Sequence, residues 1–213
     1  MDPVEELHHK ILACRLCQDR GFIERAAPIV SSGGSRNGIM LIGQAPGITE
    51  LETRRPFAGR AGRELFRWMR SIGIEEDEFR EHVYMSAITR CYPGRATSGS
   101  GDRRPSQTEI ALCRPWLDAQ LALIQPESIL LVGGLAIERY LRRTSLSELI
   151  GRRFERDGVT LIPLPHPSGA SRWLNASEHK ALLRAALAHV RDEWNRIVPQ
   201  ARTASRTISR PAG

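Results

Sequence analysis

The chain is predicted to fold as a three-layer α/β/α sandwich on a small, mainly parallel four-stranded sheet, on three observations. Four short runs are apolar throughout or nearly so, stretches of helical periodicity lie between them, and the first run empties into a long glycine- and proline-rich loop. Strands covered by helices on both faces read as unbroken apolar runs, and alternation of strand with helix specifies layers on a parallel sheet.

The first run, 38–43, leads into GQAPGITELETRRPFAGRAG at 43–62. Loops at the carboxyl ends of parallel strands expose backbone N–H groups, and the helix that follows adds its positive end, so anionic groups are favoured there. Gly43, Gln44, Ala45, Pro46 and Gly47 are therefore candidate ligand-binding residues. The alternative is a loop that only makes turns. Leu65, Phe66, Met69 and Ile72 mark the next helix. The second run spans 83–89, and the Gly-, Ser- and Arg-rich stretch 93–105 after it is expected to be a mobile insertion. Ser106 with Glu109 is a capping-box signature that opens a helix toward Ile124. The third run, 128–133, precedes a helix through Ile137, Tyr140 and Leu141; the fourth is 159–164. Leu182, Leu183, Ala186, Leu187 and Val190 give the last helix its apolar stripe.

After the fourth run comes PHPSGASRWLN at 165–175. A histidine between two prolines has little backbone freedom, so the ring of His166 can be aimed from the same sheet edge as the GQAPG loop. A turn histidine capping a carbonyl is the other reading. Arg172, Trp173 and Leu174 offer a cation, a stacking surface and an apolar wedge, a set suited to the gap left by an extruded base. They could equally form a hydrophobic edge packed on the final helix.

The four cysteines are Cys14 and Cys17 in a CxxC pair, then Cys91 and Cys113. Cytosolic proteins seldom keep structural disulfides, so this set points to metal ligation. Tetrahedral Zn and a [4Fe-4S] cubane both take four thiolates, and spacing does not separate them. Unrelated buried thiols, or a redox-active CxxC, complete the alternatives.

At 213 residues the chain can bury one full core. A single domain at 1–196 is expected, with a basic, disordered tail at 197–213. No apolar stretch approaches the roughly 20 residues of a membrane span, and MDPVEELHHK has no signal-like apolar core, which implies no membrane and a cytoplasmic location. A net charge of +7 favours a polyanionic partner. Arg202, Arg206 and Arg210 would make the tail either a DNA-contacting arm or a plain solvated terminus.

GQAPG, then RPFAGRAG, a cysteine just past the second strand, another in the next helix, the N-terminal CxxC and the terminal HPS together resemble the uracil-DNA glycosylase superfamily, in its iron-sulfur-containing branch. The resemblance covers roughly 14–187 and implies a monomeric DNA-repair glycosylase that flips uracil or another deaminated base out of damaged DNA and hydrolyses its N-glycosidic bond. It implies a [4Fe-4S] cluster on Cys14, Cys17, Cys91 and Cys113. It also implies that residues 43–47 form the catalytic-water loop, that Phe57 stacks on the flipped base, and that His166 hydrogen-bonds the pyrimidine O2. Ser168 would touch a DNA phosphate, and the loop through Leu174 would enter the duplex.

Two positions depart from that pattern. Gln44 stands where the iron-sulfur branch usually has a carboxylate that activates water, and an amide can position water but not take its proton. Ala87 stands where an asparagine usually reads the uracil edge, with Ser86 a partial substitute. Glu50 and Glu52 are the nearby candidates for a base. These departures keep open a lesion-binding or sugar-crosslinking protein with little turnover, and the CxxC alone keeps open a small iron-sulfur redox protein.

Overall fold

The computed structural model describes all residues except 1, 32, 35, 98–100, 142–143, 168–171 and 209–213, and only the backbone of 172 and 200–208. In chain order the described elements are α1 (Pro3–Leu12), α2 (Leu16–Asp19), β1 (Ile39–Gly43), α3 (Ile48–Thr53), α4 (Arg60–Arg70), α5 (Glu76–His82), β2 (Val83–Ala87), α6 (Gln107–Ile124), β3 (Ser128–Val132), α7 (Gly134–Tyr140), α8 (Leu146–Leu149), β4 (Phe154–Arg156), β5 (Val159–Leu164), a 3₁₀ turn (Arg172–Asn175) and α9 (Ser177–Ile208).

The sheet has five strands in the order β2-β1-β3-β5-β4, parallel except for β4. Every residue of β1 and β3 is buried, which explains why these strands are legible as unbroken apolar runs. From β1 the chain first adds β2 on one side and later β3 on the other, so the crevice at their carboxyl ends is a topological switch point. Register aligns Ile39 with both Val83 and Ser128, and Val132 with Leu164, bringing the loops after β1, β2, β3 and β5 to one edge.

The expected four-stranded sheet is corrected to five. Strand β4 is three residues long, two of them charged and exposed, so it carries no apolar periodicity; it pairs antiparallel with β5 across Asp157 and Gly158, both at positive φ. Ile197 and Val198 are buried in the core, and α9 continues to Ile208, because extending an anchored helix adds one hydrogen bond per residue without a new nucleation cost.

The capping box at α6 forms as expected: Ser106 Oγ accepts from Glu109 N (3.2 Å), and Glu109 Oε2 accepts from Ser106 N (2.8 Å). Residues flanking the tip of the 93–105 insertion are tied down. Ala96 N donates to Gly101 O (3.0 Å) and Arg103 N to Gly94 O (2.9 Å), and Arg95 pairs with Asp102 in an antiparallel bridge. The Arg103 guanidinium forks onto Glu109 (2.7 and 2.8 Å) and onto Phe22 O (2.9 Å). The expectation of a mobile insertion therefore does not hold for these flanks.

Candidate functional site

A cavity of about 490 Å³ opens at the carboxyl ends of β1, β2, β3 and β5, within the range of ligand sites. Gly43, Gln44, Ala45, Pro46 and Gly47 line it, together with Phe57, Ala87 and His166. Sequence-distant candidates thus meet in one space.

The loop that carries Phe57 is fixed from three sides. Glu50 is buried, and its two carboxylate oxygens accept from Gly47 N and Gly59 N, both at 2.9 Å, clasping the two ends of the loop together. Arg80 lies behind it and donates to Pro56 O (2.8 Å) and Phe57 O (3.1 Å), while Glu76 accepts from its Nε (2.8 Å) and its guanidinium lies 4.4 Å from the centre of the Phe66 ring. A Cβ on Gly62 would fall 1.7 Å from Phe57 O, so only glycine permits this approach. Phe57 itself is at φ +52°, a left-handed backbone that such surroundings must impose. Its Cζ lies 3.2 Å from where a Cβ on Gly43 would stand, placing the ring over the end of β1.

His166 is held at the opposite wall. Gly133, at φ +87°, leaves the space its imidazole needs, since a Cβ there would lie 3.1 Å from His166 Cδ2. Burial lowers the pKa of His166, with the Asp102 charge pulling the other way. The ring is thus held neutral at physiological pH, with one N–H to donate.

Several predicted residues fall elsewhere. Trp173 stacks flat on His179, with ring centres 4.1 Å apart, and donates to Ser147 Oγ (3.3 Å). Trp173 and Leu174 pack against the core, as in the packed-edge reading of the sequence, and neither lines the cavity. Arg172 starts the 3₁₀ turn, and Ser168 lies outside the described residues. Glu50 is committed to its two amides, and Glu52 is exposed outside the cavity lining. Ser86 lines the cavity, but its hydroxyl donates to Gln120 Oε1 (2.8 Å).

Two lining residues carry no motif. Asp102, at the end of the insertion, faces the GQAPG loop: its Oδ2 would lie 3.1 Å from a Cβ on Gly47. Arg90 is buried and donates through Nη1 to the neutral oxygens of Ser86 and Gln120, while its Nε and Nη2 have no hydrogen-bond partner among the described residues. Position alone identifies Asp102; for Arg90, its place directly before Cys91 was the available signal.

Arg90 and Thr89 also line a second, small cavity of about 20 Å³, bounded by Cys14, Cys17, Cys91 and Cys113. Burial, followed by neighbouring thiols and Glu109, pushes Cys17 up to about 11; burial pushes Cys91 up to about 12. Arg90 N donates to Cys113 Sγ (3.2 Å), and Trp116 Nε1, on the same wall, is buried without a partner. Among the described residues, no three His, Cys, Asp or Glu side chains converge closely enough to grip a single ion.

The fold and the cavity define an α/β protein with a ligand-sized cleft at the strand ends. A family model described as the uracil DNA glycosylase superfamily matches residues 31–191, and the chain belongs to that superfamily. It is 32% identical over 171 residues to a Type-4 uracil-DNA glycosylase of Thermotoga maritima, covering 79% of this chain and 81% of that one. A Type-4 uracil-DNA glycosylase of Pyrobaculum aerophilum is 30% identical over 73% of this chain and 70% of its own length. One from Sulfurisphaera tokodaii is 27% identical over 80% and 76%. Among the described residues, no helix is long and apolar enough to cross a membrane.

Proposed function

We propose that the chain is a uracil-DNA glycosylase of DNA repair, releasing uracil or another deaminated base after flipping it into the 490 Å³ cavity. The observation that carries this reading is that Gln44, Phe57 and His166 share that cavity in a chain of this superfamily. Breaking the glycosidic bond leaves an oxocarbenium-like sugar and an anionic base. The neutral His166 donates its N–H to the base oxygen where charge develops, assisted by the backbone amides of residues 43–47. Phe57 stacks on the base and offsets the few kcal/mol that extrusion costs. The Gln44 amide orients the attacking water. The exposed Arg60 at the cavity, with the chain's net positive charge, draws the phosphate backbone in, and Ser168 and Arg172 contact the strand beside the flipped nucleotide.

Cys14, Cys17, Cys91 and Cys113 would hold a [4Fe-4S] cluster. The four thiols surround one small cavity, a donor set of the kind that takes such a cluster. The buried Arg90 cation, which donates through Nη1 to the neutral oxygens of Ser86 and Gln120, fits beside an anionic thiolate cluster, which would lower the cost of burying it. The cluster would supply a staple joining the N-terminal segment, the end of β2 and α6, with no step of the hydrolysis assigned to it.

Incubation with oligonucleotides containing uracil, hypoxanthine or xanthine tests the reading. Release of at least one free base with an abasic product is expected; no release from any of them by cluster-loaded protein would overturn it. Gln44 and Ala87 favour a second reading, a lesion-binding or sugar-crosslinking protein, for which lesion DNA would be retained without base release.

A further inference from the structure

We infer that Asp102 is the general base of this site, taking over the role that Gln44 cannot perform. This rests on the glycosylase reading. Hydrolysis needs a group to accept the proton of the attacking water, and the amide of Gln44 has no basic lone pair for it. Of the two carboxylates nearest the loop in sequence, Glu50 is consumed by Gly47 N and Gly59 N at 2.9 Å, and Glu52 does not line the cavity. Asp102 does, on the side of the GQAPG loop, with Oδ2 3.1 Å from the space a Cβ on Gly47 would fill.

Its placement is built rather than incidental. Both backbone neighbours are hydrogen-bonded across the bridge, Gly101 O to Ala96 N (3.0 Å) and Arg103 N to Gly94 O (2.9 Å). The Arg103 side chain is locked onto Glu109, which also caps α6. Burial would raise the pKa of Glu109, but Arg103 and Ser106 outweigh it and keep the carboxylate ionised. The helix cap thus fixes the residue next to Asp102. Asp102 also acts on the site's histidine: its charge opposes the burial that lowers the pKa of His166. The Asp102 carboxylate is exposed to the cavity, where solvent water has access.

In the step assigned to it, the C1′–N bond breaks and its electron pair leaves with the base, whose oxygen is stabilised by His166 N–H. Water oxygen bonds to C1′ while one water proton passes to the Asp102 carboxylate. The products are the base anion, protonated from solvent, and an abasic deoxyribose bearing the new hydroxyl. Gln44 holds the water by hydrogen bonding.

Single-turnover base release by wild type, Asp102→Asn and Asp102→Asn/Gln44→Glu, on the uracil oligonucleotide or whichever substrate the wild type cleaves, tests this. General-base catalysis contributes about 10²–10⁴-fold. Asp102→Asn is expected to slow release by roughly 100-fold or more and to leave lesion-DNA binding within about twofold. The double variant is expected to recover at least about tenfold of that loss. Release by Asp102→Asn at the wild-type rate would overturn the inference and leave the glycosylase reading intact. A denaturation-stable DNA adduct formed by wild type and lost in Asp102→Asn would overturn it in favour of direct attack by the carboxylate. Absence of release by the wild type itself is the separate signature that the glycosylase reading has failed, and this inference with it.

Discussion

Thr89 and Arg90 form a wall common to two cavities. On one side, the base cavity is shaped by the polypeptide alone: Glu50 clasps the loop ends, Arg80 holds the Phe57 turn from behind, and Gly62 and Gly133 yield space for Phe57 and His166. On the other, four thiols from three distant stretches face a small space that holds unsatisfied donors and no ion-gripping geometry among the described residues. The first is preorganised by hydrogen bonds and close packing; the second gathers four thiols around one small space. Substitutions on the two sides should therefore have separable signatures.

The largest effect is expected at His166. Removing one preorganised donor to a developing oxyanion costs about 10²–10³ in rate, so His166→Ala should lose that factor in single-turnover base release while iron content stays unchanged. Cys113→Ala is the mirror case. Loss of the iron-sulfur absorbance and of bound iron should accompany a destabilisation of about 3 kcal/mol and a melting point roughly 10 °C lower. A variant with full absorbance would remove Cys113 from the ligand set. Gly62→Ala comes next, because its Cβ would collide with Phe57 O at 1.7 Å and shift the stacking ring. A displacement of order 1 Å costs up to about 100-fold in rate, and iron content should again be unaffected.

The pH dependence of stability is the smallest effect. Burial lowers the pKa of both His166 and His8 from 6.5. The unfolded chain therefore takes up protons that the folded one refuses, and stability falls as pH drops below about 6.5 until the folded-state values are passed. Denaturant titrations from pH 7.5 to 5 should show this slope in the wild type and a shallower one in His166→Ala.

How far the sequence speaks depends on the kind of residue. Strands β1 and β3 announce themselves because they are buried on both faces, and the α6 cap because Ser106 and Glu109 are local partners. Strand β4 is too short and too charged for periodicity, although the Asp157-Gly158 pair was a readable hairpin signal. The convergence of Phe57 and His166 follows from strand order and loop position, which pattern anticipates. Asp102 lies in a glycine- and serine-rich stretch that reads as a connector, and only the bridge to Arg95 and the Arg103–Glu109 pair, contacts made in three dimensions, bring it to the cavity. Trp173 shows the converse: an apt residue on an apt loop, satisfied instead by His179 and the core.

A structure of the protein bound to duplex DNA carrying a non-hydrolysable deoxyuridine analogue is the most direct test. The base is predicted to lie flat against the Phe57 ring with its O2 within hydrogen-bond reach of His166, about 3.2 Å or less. A base that remains stacked in the duplex, or that lodges where neither side chain touches it, would contradict the account.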